Sequence, residues 1–270
     1  METREFDETE HSFGFERAKG YLPESKCTVI AGPCAIESYE QMDCVAAFLK
    51  KQEVKYLRGG AFKPRTSPYS FQGLKEDGLK IMGEIGKKHG LTTVSEAVDI
   101  NSAILLEKYV DIIQIGARNM QNFSLLEAVG KIGKPVILKR GPAATVNEWL
   151  MSAEYIIKEG NEKVILCERG IRTFENSVRY SLDISSVAVL KQMCGLSVIV
   201  DPSHAAGKRH LVPNLALAAV AAGADGIMVE IHPEPEKALS DGMQSLGFEE
   251  FAKLGNNMEN VASAVGKSLI

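Results

Sequence analysis

Short apolar runs alternate with longer amphipathic stretches along the chain from about residue 27 onward. Eight runs rich in Val, Ile and Leu recur at residues 28–30, 55–57, 92–95, 112–115, 136–138, 164–167, 197–200 and 226–229. The runs are apolar throughout rather than alternating apolar with polar, which is typical of parallel strands covered on both faces. The pattern therefore predicts eight buried parallel strands.

The stretches between these runs carry the marks of helices. Residues 39–49 place apolar side chains three and four positions apart, which builds one apolar stripe along a helix. Ser38 with Gln41, and Thr145 with Glu148, have the spacing of capping boxes. In such a box the two side chains satisfy backbone N–H groups at the start of the helix, so two helix starts are predicted.

Eight strand and helix pairs without a long linker predict one closed (β/α)8 barrel, the TIM barrel, over residues 27–270. Residues 1–26 are polar and irregular, and we expect them to form an N-terminal arm or cap. Gly90 and Gly160 are placed to end helices in the left-handed conformation. An open doubly wound sheet is disfavoured because the turn after the first strand lacks the GxGxxG pattern.

Charge and composition favour small-molecule partners and a cytoplasmic location. A net charge of -4 and a pI near 5.8 give no electrostatic footprint for nucleic acid or an anionic membrane. The amino end is acidic without an apolar signal segment, and no apolar run is long enough to cross a bilayer. The five cysteines are odd in number and lack CxxC spacing, which argues against a disulfide framework or a zinc ribbon.

Ionisable side chains follow all eight predicted strands. In a closed barrel the carboxyl ends of the strands share one rim, where active sites are built. The cations among them, which suit phosphate or carboxylate groups, are Arg58, Lys63, Arg65, Arg118, Lys139 and Arg169. Because like charges in a ring repel one another, this set predicts strongly anionic ligands.

A second set at the same rim combines a thiol, an imidazole and two carboxylates. Its members are Cys34, His204, Glu230 and Asp241. Such a mixed donor set suits a divalent transition metal better than Mg²⁺ or a structural zinc. A single cysteine or histidine at a strand end is more often packed or hydrogen-bonded than functional. The placement of both sets at equivalent points of a repeated unit nevertheless predicts a functional rim.

Seven segments match the motifs of one enzyme family. They are AGPCAIES (31–38), LRGGAFKPRTSPYSFQG (57–73), IGARNMQN (115–122), ILKRG (137–141), CERG (167–170), DPSHAAG (201–207) and VEIHPEPEKALSD (229–241). Together they resemble the short type I form of 3-deoxy-D-arabino-heptulosonate 7-phosphate (DAHP) synthase. The resemblance covers the chain from about Cys27 and implies a transferase of the shikimate pathway, which condenses phosphoenolpyruvate with erythrose 4-phosphate.

The resemblance also implies roles for the residues at the rim. Those implied to bind phosphoenolpyruvate are Arg58, Lys63, Arg118, Lys139 and Arg169, with His204 beside the substrate. Arg65 and Thr66 are implied to hold the aldose phosphate. Those implied to bind one divalent ion, Mn²⁺, Fe²⁺, Co²⁺ or Zn²⁺, are Cys34, His204, Glu230 and Asp241. Relatives that work without metal have asparagine at the Cys34 position, so the cysteine predicts metal dependence.

These roles suggest a mechanism in which the bound metal, held by Cys34 and His204 among others, acts as a Lewis acid on the aldehyde oxygen. Lys63 is then expected to protonate the new alkoxide, with its pKa lowered by neighbouring cations. Glu96 and Glu168 are expected either to orient other site groups or to pair with the cations. As relatives commonly are, the chain is expected to be a homo-oligomer, a tetramer or a dimer.

Three other interpretations stay open at this point. The related 3-deoxy-D-manno-octulosonate 8-phosphate synthase takes arabinose 5-phosphate, but it has Asn-Arg-Ser-Ser where residues 63–67 read KPRTS, which favours erythrose 4-phosphate. A Schiff-base aldolase would use Lys139, although that chemistry needs no metal set. A non-catalytic binder of sugar phosphates is the third. Many family members carry an added regulatory domain, which the stretch before Cys27 is too short to encode, so feedback inhibition by aromatic products is not expected.

Overall fold

The computed structural model describes residues 13–65 and 67–270, and in it eight parallel strands close into a barrel surrounded by helices. The strands are β1 (Lys26–Gly32), β2 (Tyr56–Arg58), β3 (Thr92–Ala97), β4 (Ile112–Ile115), β5 (Val136–Lys139), β6 (Val164–Glu168), β7 (Ser197–Val200) and β8 (Gly226–Glu230). The ring closes because β1 pairs with both β8 and β2. The predicted (β/α)8 barrel is therefore confirmed, and each predicted strand overlaps an observed one.

Helices follow the strands around the outside of the barrel. They are α1 (Gly14–Arg17), α2 (Tyr39–Lys51), α3 (Lys75–His89), α4 (Ile100–Tyr109), α5 (Phe123–Ile132), α6 (Val146–Ile157), α7 (Ser185–Met193), α8 (Pro202–Ala206), α9 (Val212–Ala221) and α10 (Phe248–Ala264). Within the described part of the chain, no helix combines the length and apolar character needed to span a membrane.

The two predicted capping boxes differ in how completely they form. The Thr145 and Glu148 capping box is present at the start of α6. At α2 the Ser38 hydroxyl accepts from the Gln41 backbone N–H at 3.1 Å, but the Gln41 side chain accepts from the N–H of Glu37 instead of that of Ser38. The second predicted box is therefore only half formed.

The two glycines predicted to end helices also differ. Gly90 ends α3 in the left-handed conformation, with φ 69° and ψ 40°. Gly160 also has a positive φ, 91°, but α6 has its C-cap two residues earlier, at Lys158. The prediction is right for Gly90 and two residues late for the end of α6.

Alternation along the strands separates an apolar interior from a charged mouth. Every second residue points into the barrel. The strand residues that fill the interior are Ile30, Val94, Ile112, Ile137, Ile165, Cys167, Ile199 and Met228. Two positions beyond Ile137 comes Lys139, and two beyond Met228 comes Glu230, and both of these charged side chains are buried. The same period that packs the interior thus delivers charge to the carboxyl end of the barrel.

The segment before β1 closes the opposite, amino end of the barrel. Leu22 packs with the interior side chains, and its backbone N–H donates to Ser197 Oγ at 2.9 Å. Near the other terminus a short strand that was not predicted, β9 (Ser268–Leu269), pairs in parallel with β1. Residues 1–12 of the predicted arm lie outside the described residues, and the division at residue 26 stays a prediction.

Two glycines with open space around them give a matched test of the backbone argument. Gly90 has φ 69° and Gly255 lies inside α10, and a Cβ at either position would meet nothing within 4 Å. Gly90→Ala is expected to destabilise the fold by about 1–2 kcal/mol because an L-residue is strained there. Gly255→Ala is expected to stabilise it by about 0.5–1 kcal/mol because alanine favours the helix.

Thermal unfolding of both variants checks this, at about 2–4 °C per kcal/mol for a chain of this size. Equal shifts in the same direction for the two variants would contradict the assignment of the two backbone conformations.

Candidate active site and metal centre

A cavity of about 380 Å³ lies at the carboxyl ends of the strands. The cations in its wall are Lys63, Arg65, Arg118, Lys139, Arg169 and Arg179. Two carboxylates, Glu96 and Asp241, also line it. Six cations against two carboxylates leave an excess of positive charge, which favours ligands that carry several negative charges.

Four side chains from separate segments converge at one edge of this cavity. Cys34 follows β1, His204 lies in α8, Glu230 ends β8 and Asp241 lies in the loop beyond it. Each offers one ligand atom, and these atoms all lie within 4.8 Å of one another. One ion with bonds of roughly 2.0–2.3 Å can bridge atoms at such distances. The structure therefore brings together all four residues of the predicted metal set.

The charges of these four groups fit a bound cation. Burial, followed by the nearby Glu230 carboxylate, raises the pKa of Cys34 to about 12. Burial alone would raise the pKa of Glu230, but His204 and Arg58 lower it below its usual value, so this carboxylate stays ionised. A divalent cation among these atoms would offset the repulsion between the acidic groups and favour the thiolate.

The backbone at Asp241 supports a functional constraint. Asp241 is one of three non-glycine residues with positive φ in the described part of the chain, at 54°. Its Oδ2 accepts a hydrogen bond from Cys34 Sγ at 3.1 Å, and its Oδ1 lies 3.7 Å from the guanidinium of Arg179. Strained residues of this kind concentrate at ligand-binding positions, where other contacts hold them in place.

Lys63 lies against the metal set rather than apart from it. Its Nζ donates to Cys34 Sγ at 2.9 Å and to the Cys34 carbonyl at 3.2 Å. Burial would lower the pKa of Lys63, but the neighbouring Cys34 and Glu230 raise it, and the net shift is upward. The net shift in the pKa of Lys63 is opposite to the predicted lowering, because the raising effects of Cys34 and Glu230 outweigh the lowering effects of burial and Arg58.

Arg58 ends β2 at the carboxyl end of the barrel, as predicted, and its side chain contacts a member of the metal set. It is not among the residues that line the cavity, and only 4% of its surface is exposed. Its Nη1 donates to Glu230 Oε1 at 2.7 Å and to the Pro33 carbonyl at 3.1 Å. The guanidinium therefore contacts a member of the metal set, while its contact with phosphoenolpyruvate stays a prediction.

The other predicted substrate residues lie at the cavity wall, with one exception. Arg65 donates to Ser240 Oγ at 2.7 Å, and Arg118 is exposed in the short 3₁₀ turn after β4. Arg169 packs on the face of the Tyr180 ring, 4.2 Å from its centroid. Thr66, predicted to contact the aldose phosphate, lies outside the described residues.

The long loop between β6 and α7 supplies two residues that the sequence did not indicate, Arg179 and Tyr180. The loop returns to the cavity and donates backbone hydrogen bonds to the carbonyls of α8, from Arg179 to Ala206 at 3.1 Å and from Tyr180 to Ala205 at 2.8 Å. Gly170 permits this approach, since it has φ 94° and a Cβ there would lie 2.6 Å from that of Tyr180. No periodicity marks these positions.

Glu96 and Glu168 have different surroundings. Glu96 lines the cavity and accepts from Gln114 Nε2 at 2.9 Å. Glu168 is fully buried, pairs with Arg140 at 2.9 Å and accepts from the Gly170 N–H at 2.6 Å. Glu168 therefore holds the start of the β6 to α7 loop, whereas Glu96 faces the cavity.

Asp201 is a further buried carboxylate at this rim. Its Oδ2 lies 2.7 Å from His204 Nδ1 and 2.5 Å from Lys139 Nζ. Burial would raise the pKa of Asp201, but His204 and Lys139 hold it well below its usual value. Asp201 directly follows β7, so it lies at a strand end like the predicted site residues. Only the structure shows that it contacts both His204 of the metal set and Lys139 of the cation set.

Comparison with known proteins gives consistent matches over most of the chain. The sequence model described as the DAHP synthetase I family matches residues 19–266. Phospho-2-dehydro-3-deoxyheptonate aldolase of Thermotoga maritima is 55% identical over 239 residues, which are 88% of this chain and 71% of that protein. A 2-dehydro-3-deoxyphosphooctonate aldolase of Syntrophobacter fumaroxidans is 32% identical over 244 residues, 84% of each chain.

Solved structures agree with these matches. The crystal structure of the Thermotoga maritima DAHP synthase superposes with a TM-score of 0.90 at 51% identity, covering 92% of this chain and 72% of that one. A truncated form of 3-deoxy-D-arabino-heptulosonate 7-phosphate synthase from the same organism gives 0.87 at 50% identity, covering 92% and 91%.

The loop that carries Arg179 can be tested with paired glycine variants. In Gly170→Ala the new Cβ would push Tyr180 away. Gly160 has a similar positive φ, but a Cβ at that position would meet no atom within 4 Å, so Gly160→Ala is the control. Displacing one cation from the cavity is expected to weaken binding of inorganic phosphate about tenfold, the effect of losing one charge-assisted hydrogen bond. Calorimetric titration measures it, and Gly160→Ala should bind phosphate as the parent does. Equal phosphate affinity in both variants would contradict a role for this loop.

Proposed function

The chain belongs to the DAHP synthetase I family, and we propose that the cavity at its barrel mouth is the site of that family's reaction. The chain condenses phosphoenolpyruvate with erythrose 4-phosphate and one water to give the seven-carbon DAHP and inorganic phosphate, as its resemblance to the family indicated. The octulosonate enzymes are more distant relatives, at 32% identity for the one compared above.

The observation that carries the site assignment is the contact between the two predicted sets. A cavity walled by six cations adjoins four metal-type ligand atoms within 4.8 Å of one another. Two phosphorylated substrates together bring several negative charges, which the excess of cations would neutralise and orient. Lys139 and Arg169 are proposed to bind phosphoenolpyruvate with Arg118 and Lys63, and Arg65 with Thr66 to bind the aldose phosphate.

Cys34, His204, Glu230 and Asp241 are proposed to hold one divalent ion, Mn²⁺, Fe²⁺, Co²⁺ or Zn²⁺. The mixed donor set, whose ligand atoms lie within 4.8 Å of one another, and the ionised Glu230 support this assignment. A bound ion of this kind supplies Lewis acidity to a substrate oxygen. Arg58, which is buried against Glu230, is proposed to orient that carboxylate, in addition to the contact with phosphoenolpyruvate that the family resemblance implies.

Lys63 is proposed to deliver the proton that the condensation requires. Carbon–carbon bond formation turns the aldehyde oxygen into an alkoxide, which takes a proton from a nearby acid. Lys63 lines the cavity, and its raised pKa keeps it protonated, the form that a proton donor needs. The lysine would then regain a proton from solvent before the next turnover.

The Schiff-base alternative lacks support at its candidate residue. Lys139 Nζ is held at 2.5 Å by the buried carboxylate of Asp201, whereas attack on a carbonyl needs a free neutral amine. A homo-oligomeric state, as a tetramer or dimer, and a cytoplasmic location remain proposals that rest on the resemblance to the family.

Product identification tests the acceptor. With added Mn²⁺ and phosphoenolpyruvate, erythrose 4-phosphate is expected to give a seven-carbon keto acid phosphate and one equivalent of inorganic phosphate. Arabinose 5-phosphate is expected to react at least about tenfold more slowly, a difference of about 1.4 kcal/mol in transition-state binding. Mass spectrometry and phosphate release measure both, and faster reaction with the pentose phosphate would reverse the substrate assignment.

Metal dependence is tested by chelation together with a cysteine pair. Chelation is expected to stop phosphate release, and a divalent transition ion should restore it. Cys34→Ala should fold normally but lose stoichiometric metal and activity, because a thiolate is removed from the ligand set. Cys44→Ala is the control, since Cys44 is exposed on α2 and belongs neither to the cavity wall nor to the ligand set. Full activity in exhaustively chelated protein, or tight metal binding by Cys34→Ala, would refute the ligand assignment.

A further inference from the structure

One buried carboxylate touches a member of each proposed set. Asp201 follows β7 and has no exposed surface. Its Oδ2 lies 2.7 Å from Nδ1 of His204, a proposed metal ligand, and 2.5 Å from Nζ of Lys139, a proposed substrate cation. Its Oδ1 accepts from the His204 backbone N–H at 3.0 Å. A single oxygen atom is thus shared between the two halves of the site.

The contact with His204 fixes how the imidazole faces the ligand cluster. An ionised carboxylate can only accept hydrogen bonds, so the proton of a neutral His204 ring lies on Nδ1. The lone pair of Nε2 then points to the other side, where Glu230 Oε1 lies 3.3 Å away. Carboxylates that hold a ligand histidine in this way also increase the basicity of its free nitrogen.

The contact with Lys139 makes the strength of that effect depend on the substrate. While Lys139 donates to Oδ2, it withdraws electron density from the atom that also holds His204. When Lys139 donates to a phosphate or carboxylate in the cavity, its hold on Oδ2 weakens and the bond from Asp201 to His204 strengthens. A stronger bond at Nδ1 makes Nε2 a better metal ligand.

We propose that Asp201 is a positioning residue that couples binding of the divalent ion at the Cys34, His204, Glu230 and Asp241 set to binding of phosphoenolpyruvate at Lys139. The proposal rests on the function proposed above. Because coupling between two ligands is reciprocal, each would raise the affinity of the protein for the other by the same factor.

The test is a titration of the full chain with Co²⁺, with and without phosphoenolpyruvate, followed by calorimetry and by the near-ultraviolet band of cobalt bound to thiolate. In the parent protein phosphoenolpyruvate is expected to tighten Co²⁺ binding by about fivefold or more. In Asp201→Asn, Co²⁺ affinity is expected to fall about 10- to 100-fold. The tightening by phosphoenolpyruvate should shrink toward a factor of one, since a neutral amide has one acceptor oxygen for the three hydrogen bonds that the Asp201 carboxylate accepts.

Asp183→Asn is the matched control. Asp183 also pairs with a cation at this end of the barrel, Arg140, at 2.8 Å, but it does not line the cavity. Its variant is expected to keep both the Co²⁺ affinity and the tightening by phosphoenolpyruvate. Retention of the tightening in folded Asp201→Asn, or its absence in the parent protein, would overturn the proposal. A parent protein that binds no Co²⁺ would instead refute the proposed metal site.

A second variant covers the case in which Asp201→Asn does not fold. Lys139→Met removes the competitor for Oδ2 and should tighten Co²⁺ binding in the absence of phosphoenolpyruvate. Arg169→Met removes a cavity cation that packs on Tyr180, and it should have a smaller effect. Equal Co²⁺ affinities in these two variants would mean that only the general charge matters, and the role of Asp201 would then be rejected.

Discussion

Pairing of buried opposite charges at the carboxyl end of the barrel is the constraint on which the site depends. A charge removed from water is costly unless a partner and hydrogen bonds compensate for it. Arg58 with Glu230, and Lys139 with Asp201, bury both partners almost completely. In each pair the carboxylate oxygen that contacts the cation also contacts a ring nitrogen of His204. The pairs that make burial tolerable therefore also set the orientation of the proposed metal ligands.

The period of two along the strands explains how much of this site could be predicted from the sequence. Lys139 follows Ile137 by two positions and faces inward with it, whereas Arg140, one position later, faces away and pairs with Glu168. A shift of one residue moves a side chain to the opposite face of a strand. Applied strictly to the sequence, this rule assigns Arg140 to the opposite face of the strand from the cavity cation Lys139. It likewise assigns Glu168 and Arg169 to opposite faces.

The remaining differences arise where no strand period applies. Arg179 reaches the cavity from a loop whose path is set by Gly170 and by hydrogen bonds to α8, and such long-range contacts leave no local pattern. The alternation along β2 predicts that Arg58 faces inward, but its burial depends on the hydrogen bond to the Glu230 carboxylate, which lies on another strand. The residues at the strand ends indicated the ligand set and the family resemblance agreed with it, while the arrangement of its neighbours depends on contacts between segments far apart in the chain.

The contrast between the two ends of the barrel shows how a stable fold can hold such a site. In the interior most of the side chains that pack between the parallel strands are β-branched, which agrees with the local preference for strands. At the mouth several preferences are violated, including the positive φ of Asp241, a cavity wall rich in cations and, among the described residues, a buried Arg58 Nε without a hydrogen-bond partner. Violations of this kind at the mouth are expected where binding a ligand matters more than the stability of the free protein. Bound anions would relieve the repulsion among the cations of the wall, and a bound cation would relieve the repulsion among the acidic ligands. Binding of these ligands would therefore stabilise the folded protein.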